Sequence, residues 1–407
     1  MKQFFYICSV FICSSLVHAQ YYDTIPKGVR LLLGKHIQSE VSSSYNQSKA
    51  ESPYKYEIEL NTKNLEKIDD QTVKEALELF KPYQEAYDQI SLGNHRVEGS
   101  ASVNVNAYAF AYGLTDRLTA YVGIPIYDAK VSMKYKKTKN DSLDKVADIL
   151  QKKHGDDWAQ TLGINVENFY KLDESLIQSG FVNGLGYNEI GDWRGTGLGD
   201  TELGVMYNFL REDNYGLMST LGLIAPTGYV DDPDLIQDIG FGDGQWDAFF
   251  EFGGGYVINS QIILNAWSRY TYQFESSKTL RTPYSYDTNI SDKKDKYNEK
   301  LGNKLLIGLN SDLIFNDWFK LQPNLIFQQT AKAKYKSDNS EADKILENNT
   351  ESESQSFKLL SQVSSVNLYK QNKFFLPGQI NVSYQHMLSG KNTPKVNILE
   401  LEFRMFF

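Results

Sequence analysis

Near the C-terminus, a histidine and a serine lie close enough in sequence to suggest acyl hydrolysis. His386 and Ser389 lie within the segment YQHMLSG, and Asn397 belongs to the segment that follows. A serine, a histidine and an orienting Asn or Asp perform that reaction when their side chains meet in one site. The segment around Asn397 provides no serine on the same face as His386. We therefore interpret His386 as an interfacial residue and predict that the protein is not an enzyme.

An acidic loop is the second group of residues that could bind a ligand. It contains Asp231, Asp232, Asp234, Asp238, Asp243 and Asp247. Closely spaced carboxylates with glycines can bind calcium, but the spacing here lacks the alternating ligands and the final glutamate of an EF-hand. We interpret the loop as solvated, and we predict no metal and no cofactor.

The third group consists of charged residues that recur on the polar face of alternating segments. Its members are Glu202, Asp247, Glu251, Arg269, Lys304, Asp312, Lys320, Glu400, Glu402 and Arg404, with Lys332 and Lys334 further along one segment. Opposite charges on adjacent strands can pair. If these strands surround a lumen, the charges either line a path for solutes or neutralise one another in a closed barrel, and the pattern allows both.

β-Strands are the elements that would position these residues. In Gln261–Phe274, Leu264, Tyr270 and Tyr272 alternate with Asn265 and Arg269, and the same period recurs along the chain. We predict twelve strands, at about 28–38, 99–112, 117–134, 198–210, 214–229, 244–257, 260–276, 302–314, 317–335, 355–370, 374–388 and 395–407. Aromatic residues make up 13% of a chain that is hydrophilic on average, with a mean hydropathy of −0.45. That combination favours an all-β transmembrane antiparallel barrel over a soluble enzyme.

The connections between these strands alternate strictly between short turns and long loops. The long loops cover about 39–98, 135–197, 230–243, 277–301 and 336–354. Outer-membrane barrels have short periplasmic turns and long extracellular loops, so we predict that both termini lie in the periplasm. Helical periodicity within Thr72–Gln89 and Asn140–Lys153 predicts short helices in the two longest loops, while loop 277–301 is polar and is predicted to be mobile.

Residues 1–19 have the pattern of a secretory signal peptide. Lys2 precedes an apolar stretch, and Val17-His18-Ala19 provides the small residues of a cleavage site. Residues 20–407 would then form a single barrel domain with 41 basic and 51 acidic residues, a net charge of −10. Both cysteines lie in the signal. The acidic balance disfavours a nucleic-acid partner and suits a protein of the bacterial outer membrane.

The last segment, NILELEFRMFF, is the most regular of the predicted strands. Phe403, Met405 and Phe407 share its apolar face, and closing the barrel against the first strand would remove the edge that hydrocarbon does not tolerate. The terminal aromatic residue resembles the assembly signal of bacterial outer-membrane proteins. It implies the barrel-assembly machinery and outer-membrane lipid as partners.

Several segments resemble an outer-membrane family labelled for the meta pathway of phenol degradation, which is related to fatty-acid and aromatic-hydrocarbon transporters. They are YGLTDRLT at 112–119, GIP at 123–125, GLGDTELG at 197–204, LIAPTG at 223–228 and GDGQWD at 242–247. The resemblance covers about 99–407. It implies a barrel in the outer membrane and transport of small apolar or aromatic compounds.

We therefore predict a monomeric barrel for passive passage of small molecules, apolar or aromatic ones among them. The alternative is a surface protein that does not transport and whose loops bind a partner. Apolar residues of Thr72–Tyr83 and Tyr170–Phe181 are predicted to form a pocket for the solute. Pro125 and Pro226, which cannot donate to a strand ladder, are predicted to mark a lateral opening in the wall or to end regular pairing.

Overall fold

A computed structural model describes residues 22–66, 71–165, 182, 184–283, 286 and 291–407 of the chain. The strands are β1 (Arg30–Val41), β2 (Ser43–Tyr45), β3 (Glu51–Pro53), β4 (Lys55–Asn61), β5 (Ser91–Thr115), β6 (Leu118–Lys139), β7 (Trp193–Leu198), β8 (Thr201–Arg211), β9 (Tyr215–Ala225), β10 (Asp247–Asn259), β11 (Ile262–Gln273), β12 (Ser276–Arg281), β13 (Lys294–Lys300), β14 (Lys304–Asn316), β15 (Phe319–Thr330), β16 (Lys334–Lys336), β17 (Ser352–Ser364), β18 (Gly378–Lys391), β19 (Thr393–Pro394) and β20 (Asn397–Phe406). The helices are α1 (Thr62–Leu65), α2 (Gln71–Phe80), α3 (Gln84–Gln89), α4 (Leu143–His154), α5 (Trp158–Thr161), α6 (Ser340–Glu347) and α7 (Val366–Lys370). The predicted signal peptide and the segment Tyr170–Phe181 lie outside the described residues.

Twelve antiparallel strands form a closed barrel, as predicted. Around the wall they follow the order β1, β5, β6, β8, β9, β10, β11, β14, β15, β17, β18 and β20, with β7 continuing the position of β8. Leu31 of β1 pairs with Phe406 of β20 on one side and with Ala111 of β5 on the other. Since β1 joins the last strand to the next one, every wall strand has two neighbours and the backbone groups are satisfied within the wall.

The predicted faces of the strands are confirmed by the exposure of their side chains. On β10, Phe250 and Phe252 are 46% and 41% exposed on the outer surface, while Glu251 between them is only 7% exposed inside the barrel. Leu399, Leu401 and Phe403 point outward on β20 in the same way. Apolar side chains outside and polar ones inside match a wall that is surrounded by lipid.

The structure corrects the predicted limits of several elements. β9 ends at Ala225 instead of continuing to 229, and Pro226 follows in the loop. The strand predicted at 355–370 ends at Ser364, where α7 begins the periplasmic turn. In loop 277–301, predicted to be mobile, the described residues include β12 and β13, and β13 pairs with both β12 and β16. Strand pairing outside the membrane therefore orders these two strands, although the polar composition of the loop suggested mobility.

Outside the membrane, β5 and β6 continue beyond the barrel and carry a cap made of β4 and α1–α5. As predicted, both long loops contain helices, with Pro82 in the break between α2 and α3. Leu77 and Phe80 of α2 pack with Val146 and Leu150 of α4 in the core of this cap. The expectation that Thr72–Tyr83 lines a solute pocket is wrong for these side chains, because they are buried against other helices. No helix within the described ranges is long and apolar enough to cross a membrane.

At the periplasmic end, the N-terminal segment before β1 enters the lumen. Tyr22 and Ile25 are 3% and 2% exposed. Asn208 donates its side-chain amide to the carbonyl of Tyr22, and the amide of Ile25 donates to Thr119 at 2.9 Å. Gly216 of β9 leaves room for the Tyr22 ring, which a methyl group at that position would overlap. The segment thereby fills the periplasmic end of the lumen, and its side chains belong to the apolar core there.

We expect the outward aromatic residues of β20 to be required for assembly. Phe403 and Phe407 are 44% and 52% exposed on the outer surface, and the Phe407 amide and carbonyl bond Arg30 at 3.0 and 2.7 Å across the seam. Changing both to Ser should leave unfolded protein in the periplasm, because the closing strand loses its lipid-facing anchors. Gel mobility before and after heating measures this, and a normal heat-modifiable barrel would contradict it.

Candidate functional site

All ten charged residues predicted to face the lumen lie inside the barrel. Each is at most 8% exposed, from Asp312 at 1% to Lys320 and Glu400 at 8%. Lys332 and Lys334 were placed on this face wrongly: both are exposed, because β15 ends at Thr330. The role of the ten residues in lining a path for solutes stays a prediction.

One charge cluster bridges the seam of the barrel. Lys35 of β1 lies 3.0 Å from Glu402 and 3.8 Å from Glu400, both on β20. Lys358 of β17 reaches past β18 to Glu400 at 2.5 Å, and the Arg404 Nε contacts Glu402 at 2.6 Å. Three cations and two carboxylates therefore balance much of their charge in a buried network that also connects the first and last strands.

A second cluster spans the opposite side of the lumen. Arg269 of β11 donates to Glu202 of β8 at 2.8 Å, three wall positions away. Tyr121 of β6 donates to the same carboxylate at 2.7 Å, and the Arg269 guanidinium lies 3.6 Å from the centre of the Phe249 ring. In the register of the sheet, Glu251 is directly opposite Arg269. The arrangement places a cation–π contact and an ion pair across part of the barrel interior.

Lys35 and Lys358 were missed by sequence reasoning, although both contribute to the seam network. Lys35 follows Leu31 and Leu33 on the inward face of β1, so the alternation alone could have identified it. Lys358 lies on β17, whose polar residues on both faces blur the pattern. Lys320 and Asp312, which were predicted, form a pair at 3.2 Å on neighbouring strands.

The external half of the lumen contains an aromatic cluster that the sequence analysis did not single out. Phe241, on the loop between β9 and β10, stacks on Tyr127 of β6 with ring centres 5.1 Å apart and planes 5° apart. Trp193 and Tyr229 lie 6.3 and 5.8 Å from the same ring. The cluster merges with the apolar residues that β1, β5 and β6 direct inward. Loop 226–246 therefore folds into the barrel and presents aromatic surface there.

Glycines on β7 and at the residue that follows it allow this packing. Gly195, Gly197 and Gly199 recur at alternate positions on the inward face. A methyl group at Gly197 would lie 3.3 Å from the Phe241 ring, and one at Gly199 would overlap the Tyr127 ring. Glycine at every second residue, on one face of a strand, was the sequence pattern that could have predicted an aromatic ring packed against the barrel wall.

Arg281, at the end of β12, joins three external loops. Its guanidinium donates to the carbonyls of Leu185 and Gly186 at 2.7 and 2.6 Å, and to Pro233 and Ser291 at 3.3 and 2.9 Å. It also contacts Asp234 at 2.6 Å. Arg281 is 9% exposed, so buried, charge-assisted bonds hold these loops together over the mouth.

Asp238 and Asp234 of the acidic loop have pKa values that are shifted in opposite directions. Burial raises the pKa of Asp238 to about 6, although Tyr229 and the Asp232 amide bond its carboxylate. Burial acts in the same direction on Asp234, but hydrogen bonds from Lys294 and Arg281 lower its pKa overall. Among the described residues, no three His, Cys, Asp or Glu side chains come together as a metal site.

The two prolines differ in position. Pro125 lies within β6 and faces inward, opposite Gly199 and Asp200, where the wall passes from β7 to β8. Gly199 still donates to the Pro125 carbonyl at 2.9 Å. Pro226 was placed within a strand wrongly, since β9 ends one residue earlier. Pro125 thus marks an interruption of regular pairing, and a lateral opening there stays a prediction.

His386 points outward on β18, as the sequence pattern predicted. Its neighbour Asn397 accepts a hydrogen bond from the Met387 amide at 3.3 Å, so that side chain bonds the backbone of β18. The arrangement fits an interfacial histidine.

No protein-family model matches the chain, and no curated protein matches its sequence; the phenol-pathway label therefore stays a prediction. Among solved structures, the COG4313 outer membrane channel from Pseudomonas putida F1 matches at 13% identity and a TM-score of 0.54, covering 96% of this chain and 100% of that chain. The Ralstonia pickettii toluene transporter TbuX matches at 8% identity and TM-score 0.37, covering 94% and 90%. A Pseudomonas aeruginosa FadL homologue matches at 8% and 0.36, covering 95% and 92%. The first of these likenesses shows that the chain has the fold of an outer-membrane β-barrel.

Proposed function

We propose that the protein is an outer-membrane channel for passive passage of small molecules, including aromatic ones. The aromatic cluster of Tyr127, Trp193, Tyr229 and Phe241 in the external lumen carries this proposal. Aromatic faces bind planar apolar solutes by offset stacking and edge contacts. The Pseudomonas putida F1 protein with the same fold is an outer membrane channel, which supports this class of function.

The buried charge clusters favour a second candidate function, a surface protein that does not transport. Arg269 with Glu202, and Lys35 with Glu402, place neutralised ion pairs inside the barrel. Such pairs narrow the lumen and make it a poor path for a hydrocarbon.

If the protein is a channel, a hydrocarbon that enters at the aromatic cluster would therefore leave sideways through the barrel wall, and the interruption at Pro125 is the candidate exit.

Uptake of styrene by cells with and without the protein, measured beside the conductance of the purified protein in bilayers, separates these functions. Uptake without ion conductance supports the lateral route, and conductance alone supports a water-filled pore. Phe241→Ser should lower uptake about fivefold, the scale of one lost aromatic contact. Phe375→Ser, at an 82% exposed position in a periplasmic turn, is the control. If the protein gives neither styrene uptake nor conductance, the result favours the surface protein that does not transport.

A further inference from the structure

Next to the aromatic cluster, the same loop presents carboxylates to the lumen. Asp243 follows Phe241 by two residues, and its amide donates to the Asp200 carboxylate at 3.2 Å. The Gly228 amide donates to the other oxygen of Asp200 at 2.9 Å. Asp247, at the start of β10, is 3% exposed and faces inward. Three carboxylates and an aromatic ring therefore occupy the external end of the lumen together.

Neutral donors hold these three carboxylates in place. The Gln273 side-chain amide donates to Asp243 at 3.2 Å and to Asp247 at 3.3 Å, and Gln245 donates to Asp247 at 3.3 Å. Elsewhere in the lumen Glu202, Asp312, Glu400 and Glu402 are each within an ion pair. Lys304, buried on β14, acts on Asp200 and Asp247 by its charge. Among the described residues, none of the three carboxylates of this cluster is within an ion pair.

Two buried acceptors in the same cluster point to a ligand that donates hydrogen bonds. The Oε1 atoms of Gln245 and Gln273 have no hydrogen-bond partner within the described part of the chain, although these residues are 2% and 0% exposed. Both amide groups are oriented by the bonds that their nitrogen atoms make to the carboxylates. A buried acceptor without a donor is costly, so a ligand with N–H groups would stabilise this site.

We infer that the external lumen selects small organic cations, with primary amines that carry an apolar or aromatic group as the preferred class. The ammonium group would lie among Asp200, Asp243, Asp247 and the two glutamine carbonyls, and the apolar group would contact Phe241. A cation beside an aromatic face gains further stabilisation. This inference rests on the proposed function and adds the charge of the solute, which the channel proposal leaves open.

The test measures reversal potentials of the purified full-length protein in planar bilayers at pH 7. Benzylammonium chloride and potassium benzoate provide an aromatic cation and an aromatic anion of similar size. We expect benzylammonium to be more permeant than benzoate. Asp243→Asn should reduce that preference about fivefold, the effect of one screened charge contact. Asp232→Asn, an exposed aspartate of the same loop outside the cluster, removes the same charge as a control and should change the ratio little.

Three results would overturn the inference. They are equal or greater permeation of benzoate, a preference that Asp243→Asn leaves unchanged, and a protein that carries no benzylammonium current. Styrene uptake by the same protein distinguishes this failure from failure of the proposed function. Uptake with no cation preference rejects only the charge selectivity, while loss of both uptake and current rejects the channel as well.

Discussion

Replacing Arg281 with Met should release the external loops from one another. Five hydrogen bonds to Leu185, Gly186, Pro233, Asp234 and Ser291 would be lost together. The carbonyls that Arg281 bonded would stay partly buried without a donor. We therefore expect the closed arrangement of the loops to become less stable by about 3 kcal/mol. Local opening would then increase about 100-fold. The rate of tryptic cleavage after Lys293 and Lys294, in folded protein, measures the change.

Arg194→Met is the matched control for this variant. Arg194 makes two bonds to Asp128, at 3.0 and 3.1 Å, but its side chain is 62% exposed. An exposed ion pair contributes little stability, so cleavage should increase less than about fivefold. Equal cleavage rates in the Arg281 variant and the wild-type protein would show that other contacts keep the loops closed.

Replacing Gly216 with Val should expel the N-terminal segment from the periplasmic end of the lumen. The new side chain would occupy the space of the Tyr22 ring. Leaving the lumen exposes Tyr22 and Ile25, and burial of such side chains contributes about 1.5–3 kcal/mol each. A cysteine in place of Ile25 should then react with a hydrophilic maleimide about 100-fold faster in the Gly216 variant. Conductance should also rise.

Gly34→Val tests whether any added bulk on a wall strand has this effect. Among the described residues, none has an atom within 4 Å of a methyl group added at Gly34 of β1, so labelling of the cysteine should stay slow. Mobility of the unheated protein on gels confirms that both variants are folded barrels. Slow labelling in a folded Gly216→Val barrel would mean that the segment moves within the lumen without leaving it.

The strand faces could be predicted because lipid and lumen impose opposite polarity on neighbouring residues. Phe250, Glu251 and Phe252 illustrate this, since each side chain lies on the face that its polarity indicates. The alternation of short and long connections predicts that both termini lie in the periplasm, and that orientation stays a prediction. The ends of strands are harder to predict, as Pro226 shows. An apolar run that contains a proline does not reveal whether the strand ends before or after the proline.

Contacts between distant segments could not be predicted from the pattern. Arg269 and Glu202 were both assigned to the lumen, but their pairing over three wall positions depends on the stagger of the strands. The loop predicted at about 230–243 was interpreted as a solvated acidic loop, yet Ile239 and Phe241 are 0% and 3% exposed inside the barrel. Glycines on β7 create the space for Phe241, so two segments more than forty residues apart determine one packing site.

The seam between β1 and β20 also limits the order in which the protein can fold. Leu31 pairs with Phe406, so nearly the whole chain must be available before the first strand gains its second neighbour. Hairpins such as β5–β6 join residues that are close in sequence and can form early, whereas closing a very long loop is slow. Lys35 would then remain separated from Glu400 and Glu402 until the final step. Closure therefore forms the ladder of backbone bonds between β1 and β20 and the ion pairs of Lys35 in the same step.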